Sequence, residues 1–427
     1  MSYNRKHITV FEHQSIKLDQ VIDGVKFDVS KLKAFESYFG NMGVPYFSLI
    51  NKGIRFNEYV GVIQVGDTII EVLPKADYSF AGNNDKKQWQ GILLDMLYEV
   101  GIFDIHAPSS SSLKLKNNSI LDLYFEFFIK EVEYLLHQGL IKQYRRKEGN
   151  VTALKGNLHF GKHLQQNITH QERFYVRHTT YDVEHKLHLI IYKTIRLLKQ
   201  INTNVGLHSR IGNLLLLFPD MPEIKVTEKT FDNLVFTRKN ISYKTAIDIA
   251  KLLLLKYHPD VLYGKNDILA LMFDMNILWE KFVYVSLRKN KELISAVSAQ
   301  TSKYFWQPET GYRSKIKPDI VINKDKVDCI VLDTKWKNLN GYNPSPDDLR
   351  QMYVYHEYFG AKRVALVYPG NPKNGSKGVF YPTKIYNKMD KECSVILLEV
   401  PKTEEANKSI IKIWKDQIGE QILKWLN

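Results

Sequence analysis

Two short runs of β-branched residues, each carrying acid at one end, restrict this chain more than any other feature. Ser314-Lys-Ile-Lys-Pro-Asp-Ile-Val-Ile-Asn323 is followed, past a polar turn at Asn323-Lys-Asp325, by Lys326-Val-Asp-Cys-Ile-Val-Leu-Asp-Thr-Lys-Trp-Lys337. Runs of Ile and Val bounded by turn residues read as strands. Asp319 opens the first strand, and Asp333 and Lys335 close the second. Side chains alternate along a strand, so Asp333 and Lys335 share a face. A hairpin turning near Lys324 brings Asp319 to the same end. Two adjacent carboxylates suit Mg²⁺, a hard cation that takes oxygen ligands and keeps several waters. Such a cation polarises a phosphoryl oxygen and acidifies a bound water, while Lys335 orients that water or offsets charge building on phosphorus. The bland alternative is a structural ion pair.

The neighbouring sequence sharpens this pattern. Upstream, Leu271-Met-Phe-Asp-Met-Asn-Ile-Leu-Trp-Glu-Lys-Phe-Val283 predicts an amphipathic helix with Asp274 or Asn276 as N-cap. Glu280 lies between Trp279 and Phe282, where a carboxylate turned inward needs a partner. It is a candidate third metal acid, against a solvated helix Glu paired with Arg288 or a nearby Lys. Downstream, Asp347 to Phe359 predicts a helix with Gln351 and Tyr355 on one face. Arg363-Val-Ala-Leu-Val-Tyr-Pro369 is the next strand. A helix–strand–strand–helix–strand order describes an α/β core with a mixed sheet.

The rest of the chain supplies context. Tyr59-Val-Gly-Val-Ile-Gln-Val-Gly-Asp-Thr-Ile-Ile-Glu-Val-Leu-Pro-Lys75 has the composition of a hairpin, within 75 β-rich residues. Ala81 to Lys87 reads as a polar loop, and helix spacing begins at Trp89. The serine tract Ser109–Ser112 reads as a linker or surface loop. Helices are expected at about 120–139, 182–200 and 242–256. Lys142 to Asn150 reads as a basic turn, a solvated loop rather than a phosphate-contacting edge. The division expected is 1–115, β-rich; 116–262, mainly helical; and 263–427, the α/β core.

Composition excludes several classes. The chain has 427 residues, 44% hydrophobic and 25% charged, which is ordinary for a soluble globular protein and not for a disordered one. Two cysteines cannot form a disulfide framework or a Cys-rich zinc site. The N-terminus lacks a signal-peptide pattern and no apolar run approaches a membrane span, so a cytoplasmic protein without a membrane partner is expected. Lys plus Arg number 60 against 46 Asp plus Glu, an excess of +14 that points to a polyanion such as nucleic acid. No G-x-x-x-x-G-K-[ST] loop, G-x-G-x-x-G fingerprint or G-x-S-x-G elbow occurs, so nucleotide hydrolysis and serine hydrolase chemistry are disfavoured. His185 and His188 lie three apart without an H-E-x-x-H pattern, and read as a surface or core pair.

The order Glu280, Pro318-Asp319, Asp333-x-Lys335 and Gln351 resembles the PD-(D/E)xK nuclease superfamily, and more narrowly the McrC family of McrBC modification-dependent restriction systems. The resemblance extends to the Tyr59–Asp67 hairpin with Glu71-Val-Leu-Pro-Lys75, to Leu154-Lys-Gly-Asn-Leu-His-Phe160 with Arg173-Phe174, and to Phe273–Glu280. Departures are Trp279, where Phe is expected, and Asn157, where Arg is expected. The resemblance implies an α+β multidomain protein with a restriction-endonuclease-like core at 263–427. It implies a Mg²⁺-dependent type IV endonuclease subunit acting on double-stranded DNA. Asp319 and Asp333 would bind metal with Glu280 in support, Lys335 would assist the attacking water, and Gln351 would join the catalytic set. It further implies a partner, a McrB-like AAA+ GTPase ring that binds the GTP, recognises 5-methylcytosine-containing sites and is stimulated through the 1–115 region. The alternatives are a related nuclease aimed at an unmethylated site, and a non-catalytic DNA-binding adaptor of an AAA+ ring.

Overall fold

The structure is a computed structural model; it describes residues 6–40, 43–75, 83–101, 119–258, 268–290, 297–339, 341–381, 391–400 and 410–426. The chain packs as two compact units. One takes Met1–Lys6, Gln64–Thr68 and Ile105–Leu271; the other takes His7–Ile63, Ile69–Asp104 and Met272–Asn427. The fold class is mixed α and β.

In the second unit the two β-branched runs form a hairpin of strands Ile320–Ile322 and Ile330–Thr334, with Ile320 opposite Leu332. The hairpin lies inside a six-stranded sheet whose order is Val297–Ala299, Ile320–Ile322, Ile330–Thr334, Arg363–Pro369, Glu392–Leu398 and Ser376–Val379. The Ile330–Thr334, Arg363–Pro369 and Glu392–Leu398 strands run parallel, and the flanking pairings are antiparallel. The mixed sheet expected from the element order is present.

Helices pack on this sheet by burying apolar stripes. Met352, Tyr355 and Phe359 of the helix Pro346–Phe359 pack on Val321, Val331, Val364 and Leu366. Asp333 is two residues from Val331 and so faces the same helix. The helix starts where Ser345 caps Asp348 N and Pro346 takes its first turn, and ends at Gly360, which adopts the left-handed conformation at φ 59°. The helix Met275–Lys289 begins at Asp274, whose carboxylate accepts from the backbone of Asn276 and Ile277. Its Trp279 is fully buried and donates to the Val367 carbonyl at 3.4 Å. Trp89, Trp336, Trp279 and Trp414 make consecutive ring contacts at 6.3, 5.3 and 5.5 Å.

The hairpin of strands Tyr59–Val65 and Thr68–Leu73 is present, its turn passing through Gly66 at φ 56°. The expected loop at 81–87 is corrected over its described part, because a helix already runs from Asn83 to Glu99. Its first turns are polar, which hid them from an apolar-spacing test; Lys86, for example, pairs with Asp23 at 2.9 Å. The serine tract 109–112 lies outside the described residues.

The first unit is largely helical, with helices Ile120–Gln138, Lys186–Ile201, Val205–Leu217 and Lys244–Lys256. It also carries a three-stranded antiparallel sheet of Asn157–Leu158, Phe174–Asp182 and Gln143–Val151. Residues 143–151 are therefore a strand and not the expected basic turn. Both of its faces are polar, so no apolar alternation marks it. Arg145 and Lys147 instead pair across to Asp182 and Glu184. Asp182 closes a strand, and the helix expected from there starts at Lys186. Gly156 sits at φ 70° where a Cβ would lie 2.4 Å from the Arg177 carbonyl oxygen, so the Leu154–Phe160 stretch needs glycine there. His185 and His188 are a buried pair with rings 3.9 Å apart; His188 hydrogen-bonds Tyr243 at 3.0 Å, and burial pulls its pKa down to about 4.

Candidate active site

Three of the five expected site residues, Asp333, Lys335 and Gln351, form one bonded group in the second unit, and a fourth, Asp319, is tied to its strand end through Thr334. Asp333, at the end of its strand, is 1% exposed. Lys335 Nζ lies 2.9 Å from Asp333 Oδ2 and donates to Gln351 Oε1 at 3.2 Å. Gln351 Nε2 donates to Asp333 Oδ1 at 3.3 Å and to the Tyr355 hydroxyl at 2.7 Å. The amide orientation follows from chemistry: an ammonium can only donate and a carboxylate only accept, so Oε1 must face the lysine. The Lys335 backbone N–H is fixed by the Val367 carbonyl at 2.9 Å.

Asp319 joins from the preceding strand. Its Oδ2 accepts from the Thr334 backbone N–H at 2.7 Å and from the Thr334 hydroxyl at 2.8 Å. The hairpin register thus delivers the two aspartates to one end, as the strand spacing predicts. Glu280 stands beside this group without a hydrogen bond to it. Gln300 Nε2 donates to Glu280 Oε1 at 3.3 Å, and burial, then the Asp319 charge, raises the Glu280 pKa. The alternative pairing of Glu280 with Arg288 is not formed; Arg288 lies over the Tyr284 ring instead.

The electrostatics are those of crowded acids. Burial first, and the Asp319 charge second, push Asp333 up to about 7, against the opposing pull of Lys335. Burial pulls Lys335 down, but the Asp333 charge beside it outweighs this and the net shift is upward. The ammonium therefore stays charged at neutral pH. Asp348, also near, is taken up elsewhere: Lys337 binds it at 2.5 Å and Tyr368 donates to it at 3.3 Å.

A cation can be tested against this chemistry. Asp333 Oδ2 is buried and receives no hydrogen bond, because Lys335 approaches it outside hydrogen-bond alignment. Its compensation is the ionic contact with Lys335 at 2.9 Å, which leaves lone pairs that a hard cation could take. Among the described residues no three His, Cys, Asp or Glu side chains gather as a metal-holding group. The three expected metal acids, Asp319, Asp333 and Glu280, are therefore not gathered into one such group.

Sequence reasoning missed three supports of the site. Thr334 fixes Asp319, Gln300 holds Glu280, and Tyr355 donates to the Lys317 carbonyl at 3.2 Å. Only Tyr355 had a signal, its i, i+4 relation to Gln351.

Mixed sheet, helices on it and paired acids at one strand end define the class, an α+β protein with a crowded acidic centre. Comparison with known proteins then gives the family. The family model for McrBC 5-methylcytosine restriction system component matches residues 54–369, and the chain belongs to that family. The resemblance to the McrC family of McrBC systems is thus borne out. A refined half-complex from a tetradecameric assembly of Thermococcus gammatolerans McrB AAA+ hexamers with bound McrC contains a chain similar to this one, with TM-score 0.68 and 19% identity over 98% of this chain and 100% of that one. At that identity the likeness concerns the fold. A second structure, of the Thermococcus gammatolerans McrBC complex, matches with TM-score 0.48 and 18% identity, covering 66% of this chain and 87% of that chain. No curated protein matches. Among the described residues no helix is long and apolar enough to cross a membrane.

Proposed function

We propose that this chain is the DNA-cleaving subunit of a McrBC-like restriction system, with a PD-(D/E)xK nuclease core in its C-terminal part. The observation that carries the reading is the group of Asp319, Asp333, Lys335 and Gln351 at one strand end, with a buried Asp333 oxygen that accepts no aligned hydrogen bond and faces the Lys335 ammonium at 2.9 Å. A structural ion pair would need neither the second aspartate nor the glutamine bridge. Asp319 and Asp333 would hold Mg²⁺, with Glu280 in support; the bound cation would supply Lewis-acid activation of the phosphodiester and of water.

The remaining roles belong to the chain's own side chains. Lys335 keeps its proton and offers N–H donors to the attacking water and to the negative oxygens of the transition state. Gln351 holds that ammonium by its carbonyl and restrains Asp333 by its amide, so both enter the reaction already oriented. Glu280 adds a third negative charge on the Asp319 side.

Partner and target follow from the family. The GTP would be bound by a McrB-like AAA+ ring, met by the 1–115 region, and the ring would recognise 5-methylcytosine-containing sites in double-stranded DNA. The deciding experiment is plasmid cleavage with Mg²⁺, GTP and the partner GTPase, comparing cytosine-methylated with unmethylated DNA. Cutting confined to methylated plasmid is expected. Cutting of unmethylated plasmid would keep the nuclease and move its specificity to an unmodified site. No cutting, with GTPase stimulation retained, would replace the nuclease reading with that of an adaptor.

A further inference from the structure

A two-stranded arm projects immediately before Asp319. It pairs Lys303–Trp306 with Ser314–Ile316, with Tyr304 opposite Lys315 and Lys303 opposite Ile316. Opposite residues of an antiparallel pair share a face, so the arm has two distinct sides. The Lys303 and Ile316 side is fastened down. Ile316 packs on the core under the helix Pro346–Phe359, and Lys303 donates to the Tyr358 carbonyl at 3.2 Å while lying over the Phe359 ring.

The other side is basic and open. Arg313 and Lys315 both lie over the Tyr304 ring, at 5.2 and 4.9 Å from its centroid. Lys317 follows one strand period later. All three side chains are exposed, and among the described residues none forms an ion pair with a carboxylate. Many basic residues elsewhere do: Arg145, Lys162, Arg177, Arg210 and Lys337 each meet an acid. Arg313 and Lys315, held over the Tyr304 ring with no carboxylate paired to them, await an anion from outside the chain, and Lys317 continues their row toward the acidic centre, within electrostatic reach of Glu280.

The row is also fixed in register with the acidic centre. The Lys317 carbonyl accepts from Tyr355, Tyr355 accepts from Gln351, and Gln351 donates to Asp333. Cations two residues apart on a strand stand about 6.6 Å apart. One nucleic-acid strand offers a phosphate every 3.4 Å of axis, and more than that through space because it winds around the axis.

We infer that Arg313, Lys315 and Lys317 grip successive phosphates of the duplex strand that enters the Asp319–Asp333 centre, with Tyr304 as the stiff support of the first two. The inference rests on the nuclease reading and names the side from which the substrate is held. Such contacts position the duplex without reading its sequence.

The test uses the full chain and a short labelled duplex, without divalent metal, titrated at several salt concentrations. Arg313→Ala/Lys315→Ala is compared with Lys412→Ala/Lys424→Ala, which removes the same charge from exposed positions of the helix Ile410–Leu426. The arm variant is expected to bind roughly tenfold more weakly at about 100 mM salt, with a salt slope shallower by about two. Lys315→Arg alone should bind as the wild type does. Equal affinities and slopes for the two double variants would overturn the inference, as would loss confined to single-stranded DNA, which would indicate base stacking on the aromatic residues. A wild-type chain that binds through the arm yet never cuts with its partner would sink the nuclease reading and sustain the arm. A chain that cuts normally with the arm neutralised would sink the arm alone.

Discussion

The Trp336 indole N–H donates to Glu12 Oε1 at 2.7 Å, joining two residues 324 positions apart in the chain. Glu12 is 3% exposed; its Oε1 also accepts from the Lys75 backbone N–H at 2.6 Å, while its Oε2 is buried without a partner. Trp336 follows Lys335 directly, and its own backbone N–H donates to Asn276 Oδ1 at 3.2 Å. The strand end that carries the candidate lysine is thus tied to the chain's beginning by an acid that the chemistry does not use.

That acid should make stability depend on pH. Burial raises Glu12 to about 7 from an ordinary 4.5. The folded state then holds more protons than the unfolded one between these values, so stability is fully present below about 4.5 and is lost as pH climbs through about 7. Glu12→Gln keeps an acceptor for Trp336 and Lys75 and cannot ionise. Relative to wild type it should gain stability as pH rises, by up to about 3 kcal/mol at pH 8. Urea unfolding at pH 5 and pH 8 checks this, and a difference that does not grow with pH would refute it.

Asp333→Asn removes a crowded buried charge as well as the proposed metal ligand. Plasmid cleavage should fall by roughly a thousandfold or more. Thermal stability at pH 8 should hold or rise, because the carboxylate is disfavoured there by burial and by Asp319. A variant that loses activity and melts far below the wild type would make Asp333 a structural residue instead.

Cation affinity should follow the Asp333 proton. A carboxyl lifted to about 7 must lose its proton to bind metal. The Mg²⁺ concentration for half-maximal cleavage should therefore rise by about tenfold per unit as pH falls below 7, and level off above it. A pH-independent requirement would place the cation away from this aspartate.

Gln351→Ala removes the bridge but neither charge. Cleavage should drop by about 10- to 100-fold, the usual cost of freeing an oriented catalytic group, with little change in duplex affinity. Loss as deep as that of Asp333→Asn would mean that Gln351 touches the reacting atoms itself.

Trp279→Ala tests packing apart from chemistry. The ring is fully buried between Trp336, Phe282 and Trp414, and its loss should cost about 3–5 kcal/mol. Denaturant titration measures it.

The legible parts of the sequence were those with local period. The Tyr59–Leu73 hairpin, the Ile330–Thr334 strand and the Gln351 helix announce themselves through alternation or i, i+4 spacing, and the aspartates follow once the strands are placed. The strand 143–151 was hidden because charge pairs rather than apolar contacts hold it. Glu12 was invisible for another reason: its partners are far away in sequence, and nothing near residue 12 marks it as buried. Thr334 looked like any strand threonine until the register set it against Asp319.

The unit holding the acidic centre is built from both ends of the chain, His7–Ile63 and Ile69–Asp104 packing with Met272–Asn427. During synthesis the early segments leave the ribosome long before their counterparts exist. The unit cannot be completed until Met272–Asn427 has followed the two earlier segments. A product truncated before residue 272 would carry none of Glu280, Asp319, Asp333 and Lys335, nor the six-stranded sheet that aligns them.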